Sequence, residues 1–174
     1  MKDLPLDKRG LPVPVIILKD KNGDHHFKMN NDVVVEQCIK DKTCTICGNP
    51  LGTDMWMIGG PMSAFHPNGA YIDAPVHKAC GEYALQVCPY LAVSTYSGKP
   101  VKIPEGGVFD NMLFVNPTQS PDRVPFFVFS KISGYSVKRY GIERYIIPDK
   151  PYLEIEFWND GEQLTREQAQ NLVK

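Results

Sequence analysis

The sequence lacks any long apolar run and any leader-like beginning. A membrane-spanning helix needs about 18 consecutive apolar residues, whereas the longest clean run, residues 13–18, is interrupted by Pro14. The first residues carry charges and Pro5 where a secretory signal has its apolar core. We therefore expect a soluble cytoplasmic protein with no membrane partner, in a compartment where thiols stay reduced.

An excess of charge of one sign is also missing. The 19 Lys and Arg residues nearly balance the 20 Asp and Glu residues, and the formal net charge is -1 for 174 residues. Proteins that wrap nucleic acid are usually strongly basic, so that class is not favoured, although a local basic face remains open. The hydrophobic content of 43% excludes wholesale disorder, and the length fits one domain.

Common catalytic and nucleotide-binding motifs are absent as well. The chain has no Gly-x-x-x-x-Gly-Lys phosphate loop and no Gly-x-Ser-x-Gly nucleophile elbow. Its Asp and Glu residues are scattered, and none form a pair that would serve as general acid and base. We identify no catalytic and no cofactor-binding residue, and we expect a protein that is not an enzyme.

The chemistry-bearing residues that are present fall into two close pairs. Two residues separate Cys44 from Cys47, and Gly48 follows directly. Two residues also separate His77 from Cys80. Thiolate and imidazole are the ligands that Zn²⁺ prefers, in a tetrahedral set of four. A tight turn directs the first two sulfurs to one ion, and the glycine lets the backbone bend after them. The sequence therefore predicts a structural Zn²⁺ bound by the two pairs.

The two remaining cysteines are assigned to packing. Cys88 follows Cys80 by eight residues, which on a helix is about 12 Å of rise and roughly 80° of rotation. It therefore cannot reach the same ion. Cys38 lies on the apolar face of a predicted short helix.

Three alternatives to a zinc site remain open for the cysteines. Unliganded core cysteines are one. A disulfide framework is another, but it needs an oxidising compartment and usually an even number of cysteines, and this chain has 5. A redox Cys-x-x-Cys normally opens a helix, whereas Asn49-Pro50 follows here. The 29 residues between Cys47 and His77 make the pattern less specific than a closely spaced zinc finger.

The order of patterns predicts an α+β fold, a β-rich body with an inserted treble-clef zinc module of knuckle, loose hairpin and helix. Residues 1–174 form a single domain, with the module at 42–91 and a β-rich part at 108–174 that ends in a short helix. Within the module, the hairpin strands are 55–58 and 70–72, and the helix is 76–91 with Pro89 disturbing its last turn.

Flanking elements follow from the same patterns. An edge strand at 11–18 turns at Asn22-Gly23 into a return strand beginning at His25, and a helix follows the N-cap candidates at 30–32. A capping box at 165–168 starts the final helix. A linker is predicted at residues 96–107. The later strands are predicted at residues 112–115, 124–132, 135–140, 144–147 and 152–158.

Three motifs, which delimit roughly a third of the chain at 44–91 and 154–161, are shared with a known group of proteins. They are Cys44-x-x-Cys47-Gly48, Pro75-x-His77-x-x-Cys80-x-x-Tyr83-Ala84-x-x-x-Cys88-Pro89-x-Leu91 and Glu154-Ile155-Glu156-Phe157-Trp158-Asn159-Asp160-Gly161. In these motifs the chain resembles small uncharacterised treble-clef zinc-binding proteins of Gram-positive bacteria and their phages. The resemblance implies a zinc site and a bacterial or phage origin, and it implies no reaction.

A looser resemblance is to zinc-bound HNH endonucleases, which also place Cys-x-x-Cys-Gly before a treble clef. That family binds a catalytic divalent metal through an Asp-His pair on the hairpin and a helix histidine. The nearest equivalent here is His66, which lacks the acidic partner, and His77 is already assigned to zinc. A nuclease also needs a base and a metal to activate water. A metal-dependent nuclease or nucleic-acid-binding protein is therefore the alternative function.

Basic and aromatic residues interleave near the C-terminus. They are Lys131, Lys138, Arg139 and Arg144, with Tyr135, Tyr140 and Tyr145. Such a face can bind nucleic acid through phosphate contacts and base stacking. Ordinary outward alternation on antiparallel strands accounts for the same pattern, and we favour it. A second metal at His25, His26 or His66 stays open.

The sequence therefore predicts a non-enzymatic, zinc-stabilised binding protein that engages a protein partner. A phage or bacterial modulator of a host process would be one example of such a protein. A redox or metal-sensing switch that uses the thiolates is a further hypothesis.

Overall fold

The computed structural model describes residues 1, 3–19, 21–23, 25–93, 124–141 and 143–173. Within these ranges the helices are α1 (Asp32–Asp41), α2 (Pro61–Phe65), α3 (Lys78–Val87), α4 (Pro89–Ala92) and α5 (Arg166–Asn171). The strands are β1 (Ile17–Lys19), β2 (His25–Asn30), β3 (Met55–Gly59), β4 (Phe127–Ile132), β5 (Tyr135–Tyr140), β6 (Glu143–Pro148), β7 (Glu154–Asn159) and β8 (Glu162–Leu164). The named strands pair antiparallel, which confirms the predicted α+β class. In these ranges no helix combines the length and apolarity that a membrane span requires.

A four-stranded sheet in the order β3-β4-β7-β8 forms the centre of the fold. One of its two inner strands, β4, lies within the predicted strand at 124–132 and is almost wholly buried. Alternate residues of a strand face opposite sides. On one side, Phe129 contacts the ring of Trp56, with centroids 4.6 Å apart, and faces Gly81 of α3. On the other side, Val128 packs with Ala64 of α2 and Ala169 of α5.

The close approach of α3 to this sheet depends on Gly81. A β-carbon added at Gly81 would stand 2.5 Å from the ring of Phe129. Phe129 is fully buried, and its ring also packs against the ring of Trp56. The missing side chain therefore lets α3 lie directly on β4. This contact sets the distance between the sheet and the helix that carries the second predicted ligand pair.

The β5–β6 hairpin is attached to the rest of the fold by backbone and side-chain contacts. Tyr71 and Ile146 exchange two backbone hydrogen bonds of 2.9 and 2.7 Å. The Tyr135 hydroxyl donates to the carbonyl oxygen of Ile39 at the end of α1, 3.0 Å away. Arg139 of β5 pairs with Glu36 of α1.

The N-terminal elements agree with their predictions except in length. β1 contains three residues rather than eight, because Pro12 and Pro14 cannot donate to a ladder. The Asn31 side chain accepts the N–H groups of Val33 and Val34 and so caps α1. Cys38 is 5% exposed on the buried face of α1, as its assignment to packing requires.

Two details of the predicted module are wrong. The helix expected at 76–91 ends at Val87, and Cys88 separates it from the short α4 that begins at Pro89. Proline lacks the N–H that a continuous helix needs. The partner of β3 within the module is not 70–72 but Val76, which exchanges two hydrogen bonds of 2.9 Å with Trp56.

A turn at 160–161 joins β7 to β8, and α5 begins with the predicted capping box of Thr165 and Gln168. The predicted linker at 96–107 and strand at 112–115 lie outside the described residues. The predicted division into a module at 42–91 and a β-rich part at 108–174 stays a prediction.

Candidate metal centre

The four predicted ligands meet at one point. The sulfurs of Cys44, Cys47 and Cys80 and one ring nitrogen of His77 all lie within 4.8 Å of one another. In a tetrahedral zinc site with Zn–S distances of about 2.3 Å, the ligand atoms are about 3.8 Å apart. The observed spacing is therefore compatible with four ligands around one ion. Cys44 and Cys80 are buried, and Cys47 and His77 are partly exposed.

The first ligand pair is carried by a tight knuckle. Cys44 donates its N–H to the carbonyl of Asn49 at 2.8 Å, and Gly48 donates to the carbonyl of Cys44 at 2.7 Å. Gly48 has a φ of 76°, which lies in the left-handed region. Glycine adopts this region at low cost because it has no β-carbon. Val15 supports the knuckle from the N-terminal segment by donating to the carbonyl of Ile46 at 3.0 Å. These bonds turn both sulfurs to the same side.

The second pair stands at the start of α3. His77 is the residue before the first helical turn, and Cys80 lies within that turn. Val76, bonded to Trp56 of β3, brings the chain to this point. The knuckle comes before the helix as predicted, but the single bridge between Trp56 and Val76 stands where a loose hairpin was expected.

The imidazole of His77 is oriented by a hydrogen bond outside the ligand set. Its Nε2–H donates to the carbonyl oxygen of Pro50, 3.0 Å away, and its Nδ1 lies 3.3 Å from the sulfur of Cys47. The carbonyl accepts only, so the proton belongs on Nε2. Nδ1 is left with a lone pair that faces the sulfurs, as a metal-ligating histidine requires.

The sulfur of Cys44 lies where its charged form is favoured. A hydrogen bond from the Cys80 thiol lowers the pKa of Cys44, burial opposes that effect, and the backbone N–H groups of Cys47, His77 and Ile46 lower it further. The same thiol–thiolate hydrogen bond raises the pKa of Cys80, as do burial and the neighbouring sulfurs. Binding of a metal cation would therefore release a proton from this cluster.

Asp54 is a polar residue of the site that no sequence motif identifies. The Asp54 carboxylate accepts the indole N–H of Trp56 at 2.9 Å and the backbone N–H of Lys78 at 3.1 Å. It thus joins the start of β3 to the first residue of α3. A solitary aspartate in a turn has no distinguishing pattern, so only the folded arrangement identifies it.

The other histidines and cysteines do not belong to this group. Among the described residues, the four ligands are the one set of three or more His, Cys, Asp or Glu residues placed to hold a metal. Cys88 is partly exposed between α3 and α4, so it lies less deep than its assignment to core packing implied. His66 accepts the N–H of Asn68 through Nδ1 at 3.1 Å. The side chain of His26 lies outside the described part of the structure.

Three of the basic residues on the C-terminal strands are paired with acids. Arg139 and Arg144 both donate to Glu36, at 3.1 and 3.0 Å. Lys131 contacts Glu154 at 2.9 Å. These pairings occupy three of the cations that a nucleic-acid face would use, and the interpretation of the segment as ordinary strand alternation stays a prediction.

The chain matches no protein-family model, and comparisons with curated proteins and with solved structures give no significant match. The resemblance to treble-clef proteins of Gram-positive bacteria and phages therefore stays a prediction. The function is therefore inferred from the chemistry of the four converging side chains. Three sulfurs and one imidazole suit a metal such as zinc.

Proposed function

We propose that Cys44, Cys47, His77 and Cys80 bind one structural Zn²⁺, and that the protein is a non-enzymatic, zinc-stabilised binding protein. The convergence of four ligand atoms within 4.8 Å carries this proposal. Four protein ligands complete a tetrahedron, so no coordination position is left for a substrate. The ion would supply folding free energy by joining the knuckle to α3.

We further propose that the partner is a protein. The formal net charge is -1, and three of the basic side chains that could contact phosphates are already paired with Glu36 and Glu154. Nucleic-acid binding depends strongly on free cationic side chains. A reducing compartment such as the bacterial cytoplasm would keep the thiolates available, and a modulator of a host process fits this role.

The metal is tested by elemental analysis of the purified protein. We expect about one Zn per chain, because the described residues hold one such ligand group. Cys44→Ser and Cys80→Ser should lose the metal and most of the soluble yield. Cys38→Ser is the matched control, because Cys38 is equally buried but lies outside the group. Equal metal content in all three variants would contradict the assignment.

The partner is tested by affinity capture with the zinc-loaded chain as bait. A lysate of a Gram-positive bacterium is treated with nuclease before capture. We expect a protein retained in stoichiometric amount by the native chain and lost after chelation of the metal. Retention that disappears with nuclease treatment would favour nucleic acid instead and would overturn the protein-partner proposal.

A further inference from the structure

The carboxylate of Asp54 stands between the two halves of the metal centre and belongs to neither ligand pair. One oxygen accepts the indole N–H of Trp56 at 2.9 Å, and the other accepts the backbone N–H of Lys78 at 3.1 Å. We propose that Asp54 is a positioning residue of the metal centre, which holds the first turn of α3 where His77 and Cys80 face the knuckle. This inference rests on the proposed metal binding.

The start of α3 needs an acceptor that its own N-cap residue does not supply. The first N–H groups of a helix have no partner within the helix. The N-cap residue, His77, makes no side-chain capping bond, and its ring faces Cys47 and Pro50 instead. Asp54 supplies the acceptor from outside the helix. Its negative charge also suits the positive end of the helix dipole.

Asp54 is itself fixed to the exit of the knuckle. Its N–H donates to the carbonyl of Leu51 at 3.0 Å, and Leu51 donates to the carbonyl of Lys42 at 3.0 Å, just before the first ligand pair. Trp56, the other donor to the carboxylate, is 1% exposed and bonded through its backbone to Val76. The carboxylate thus connects the knuckle, β3 and α3 through short, partly buried hydrogen bonds.

The position of Lys78 explains why one hydrogen bond would matter to two ligands. His77 comes directly before Lys78, and Cys80 follows it by two residues. A shift of the Lys78 N–H would move both ligand atoms together relative to Cys44 and Cys47. Residues that orient metal ligands typically change metal affinity by about 10- to 100-fold when they are replaced.

The first test compares Asp54→Asn with the native chain. Asparagine offers one acceptor oxygen, so its NH₂ group would face one of the two donors. We expect zinc affinity, measured by competition with a chromophoric chelator, to fall at least about tenfold. We also expect the visible absorption of the Co²⁺-loaded protein to shift, because the ligand geometry changes while the ligands remain. Asp7→Asn is the matched control, because Asp7 is also an aspartate that accepts N–H groups, here the backbone N–H groups of Arg9 and Leu11, and it lies outside the metal centre.

A second pair of variants removes the donor instead of the acceptor. Lys78→Pro deletes the N–H at the first position of a helix, where proline is well tolerated. His77 has φ -70° and ψ 155°, which a following proline permits. Lys78→Ala keeps the N–H and removes the same ammonium group, which lies 2.8 Å from Glu156 and 4.7 Å from the Trp56 ring. We expect Lys78→Pro to bind zinc at least about tenfold more weakly than Lys78→Ala.

The outcomes separate positioning from simple loss of stability. Ile146→Val shortens a fully buried side chain of β6 and should leave the cobalt spectrum unchanged. Weakened affinity in Asp54→Asn with an unchanged spectrum would overturn the positioning role, as would native affinity in Asp54→Asn. If Asp54→Asn does not fold, the comparison of Lys78→Pro with Lys78→Ala decides, and equal affinity of that pair overturns the proposal. Failure of the native chain to bind zinc or cobalt would overturn the metal centre itself.

Discussion

His77 donates its Nε2–H to the carbonyl oxygen of Pro50, and the two atoms are 3.0 Å apart. Pro50 closes the knuckle, since it pairs with Thr43 on the other side of the first ligand pair. The knuckle therefore orients the imidazole that converges with the three sulfurs. A rotation of the ring would break this bond and would also turn Nδ1 away from Cys47.

The first prediction concerns the tautomer of His77. Because Nε2 carries the proton that bonds to Pro50, long-range ¹H–¹⁵N spectra of the zinc-loaded protein should show a protonated Nε2 and a metal-bound Nδ1. His66 provides an internal reference, because its Nδ1 accepts the N–H of Asn68. A metal-bound Nε2 in His77 would contradict the geometry.

The second prediction concerns the knuckle glycine. Gly48 has a φ of 76°, and a side chain with a β-carbon is strained there by about 1–2 kcal/mol. An added β-carbon would also stand 3.3 Å from Val15. We expect Gly48→Ala to lower the free energy of unfolding by about 1–2 kcal/mol and to weaken zinc binding, measured by urea unfolding and by chelator competition. Gly48→Asn should lose less, because asparagine tolerates the left-handed region better. Equal losses would show that contact with Val15, rather than backbone strain, dominates.

Local spacing was enough to predict which four side chains converge, and that a knuckle and the start of a helix carry them. A Cys-x-x-Cys-Gly turn and a His-x-x-Cys at a helix start each depend on neighbouring residues only, and their four ligand atoms do converge. Short-range signals also gave the Asn31 cap and the capping box at Thr165.

Contacts between distant segments could not be predicted in the same way. Val76, rather than 70–72, pairs with β3, because Tyr71 bonds instead to Ile146, far along the chain. Arg139 and Arg144 meet Glu36, more than 100 residues earlier in the sequence. Asp54 acquires its role only when α3 packs beside it. Each of these three contacts forms only when distant segments pack together. The spacing of residues along a single sequence does not reveal which segments will do so.

The third prediction concerns the contact between α3 and the sheet. Alanine has a helix propensity about 1 kcal/mol better than glycine, but a β-carbon at Gly81 would lie 2.5 Å from the buried ring of Phe129. Overpacking in a core typically costs about 1–3 kcal/mol. We expect Gly81→Ala to be destabilising by urea unfolding, with a weaker zinc site because α3 is lifted. Glu82→Ala, next on the same helix, is the control and should change little. A stabilised Gly81→Ala would show that α3 does not lie against β4.

The fourth prediction concerns nucleic acid. Because Arg139, Arg144 and Lys131 are paired with carboxylates, we expect a dissociation constant above about 100 µM for duplex DNA, by fluorescence anisotropy near physiological salt. Glu36→Gln removes the carboxylate that pairs with both arginines, while Arg144 keeps its contact with Asp32, and the variant should bind DNA more tightly. We also expect no plasmid cleavage with Mg²⁺ or Mn²⁺. Tight binding by the native chain, or cleavage abolished by His66→Ala, would favour the nuclease alternative.

The fifth prediction concerns the pH dependence of stability at Glu36. The hydrogen bond from Arg139 lowers the pKa of Glu36 below its ordinary value of 4.5, burial opposes this, and Arg144 lowers it further. A lowered folded-state pKa means that the contribution is fully present above pH 4.5 and is lost as the pH falls through the folded value. The Glu36 side chain is 37% exposed, so solvent screening limits the contribution to about 0.5–1 kcal/mol.

Urea unfolding of the native chain and Glu36→Gln, both with excess zinc, measures this contribution. Because both proteins carry the same metal centre, acid release of the metal cancels in the difference between them. We expect a deficit of about 0.5–1 kcal/mol in the variant at pH 7 that shrinks as the pH falls below about 4.5. Glu162→Gln, at an exposed position on β8, should show no such deficit. A deficit that grows in acid would mean that Glu36 is not held as a carboxylate by the two arginines.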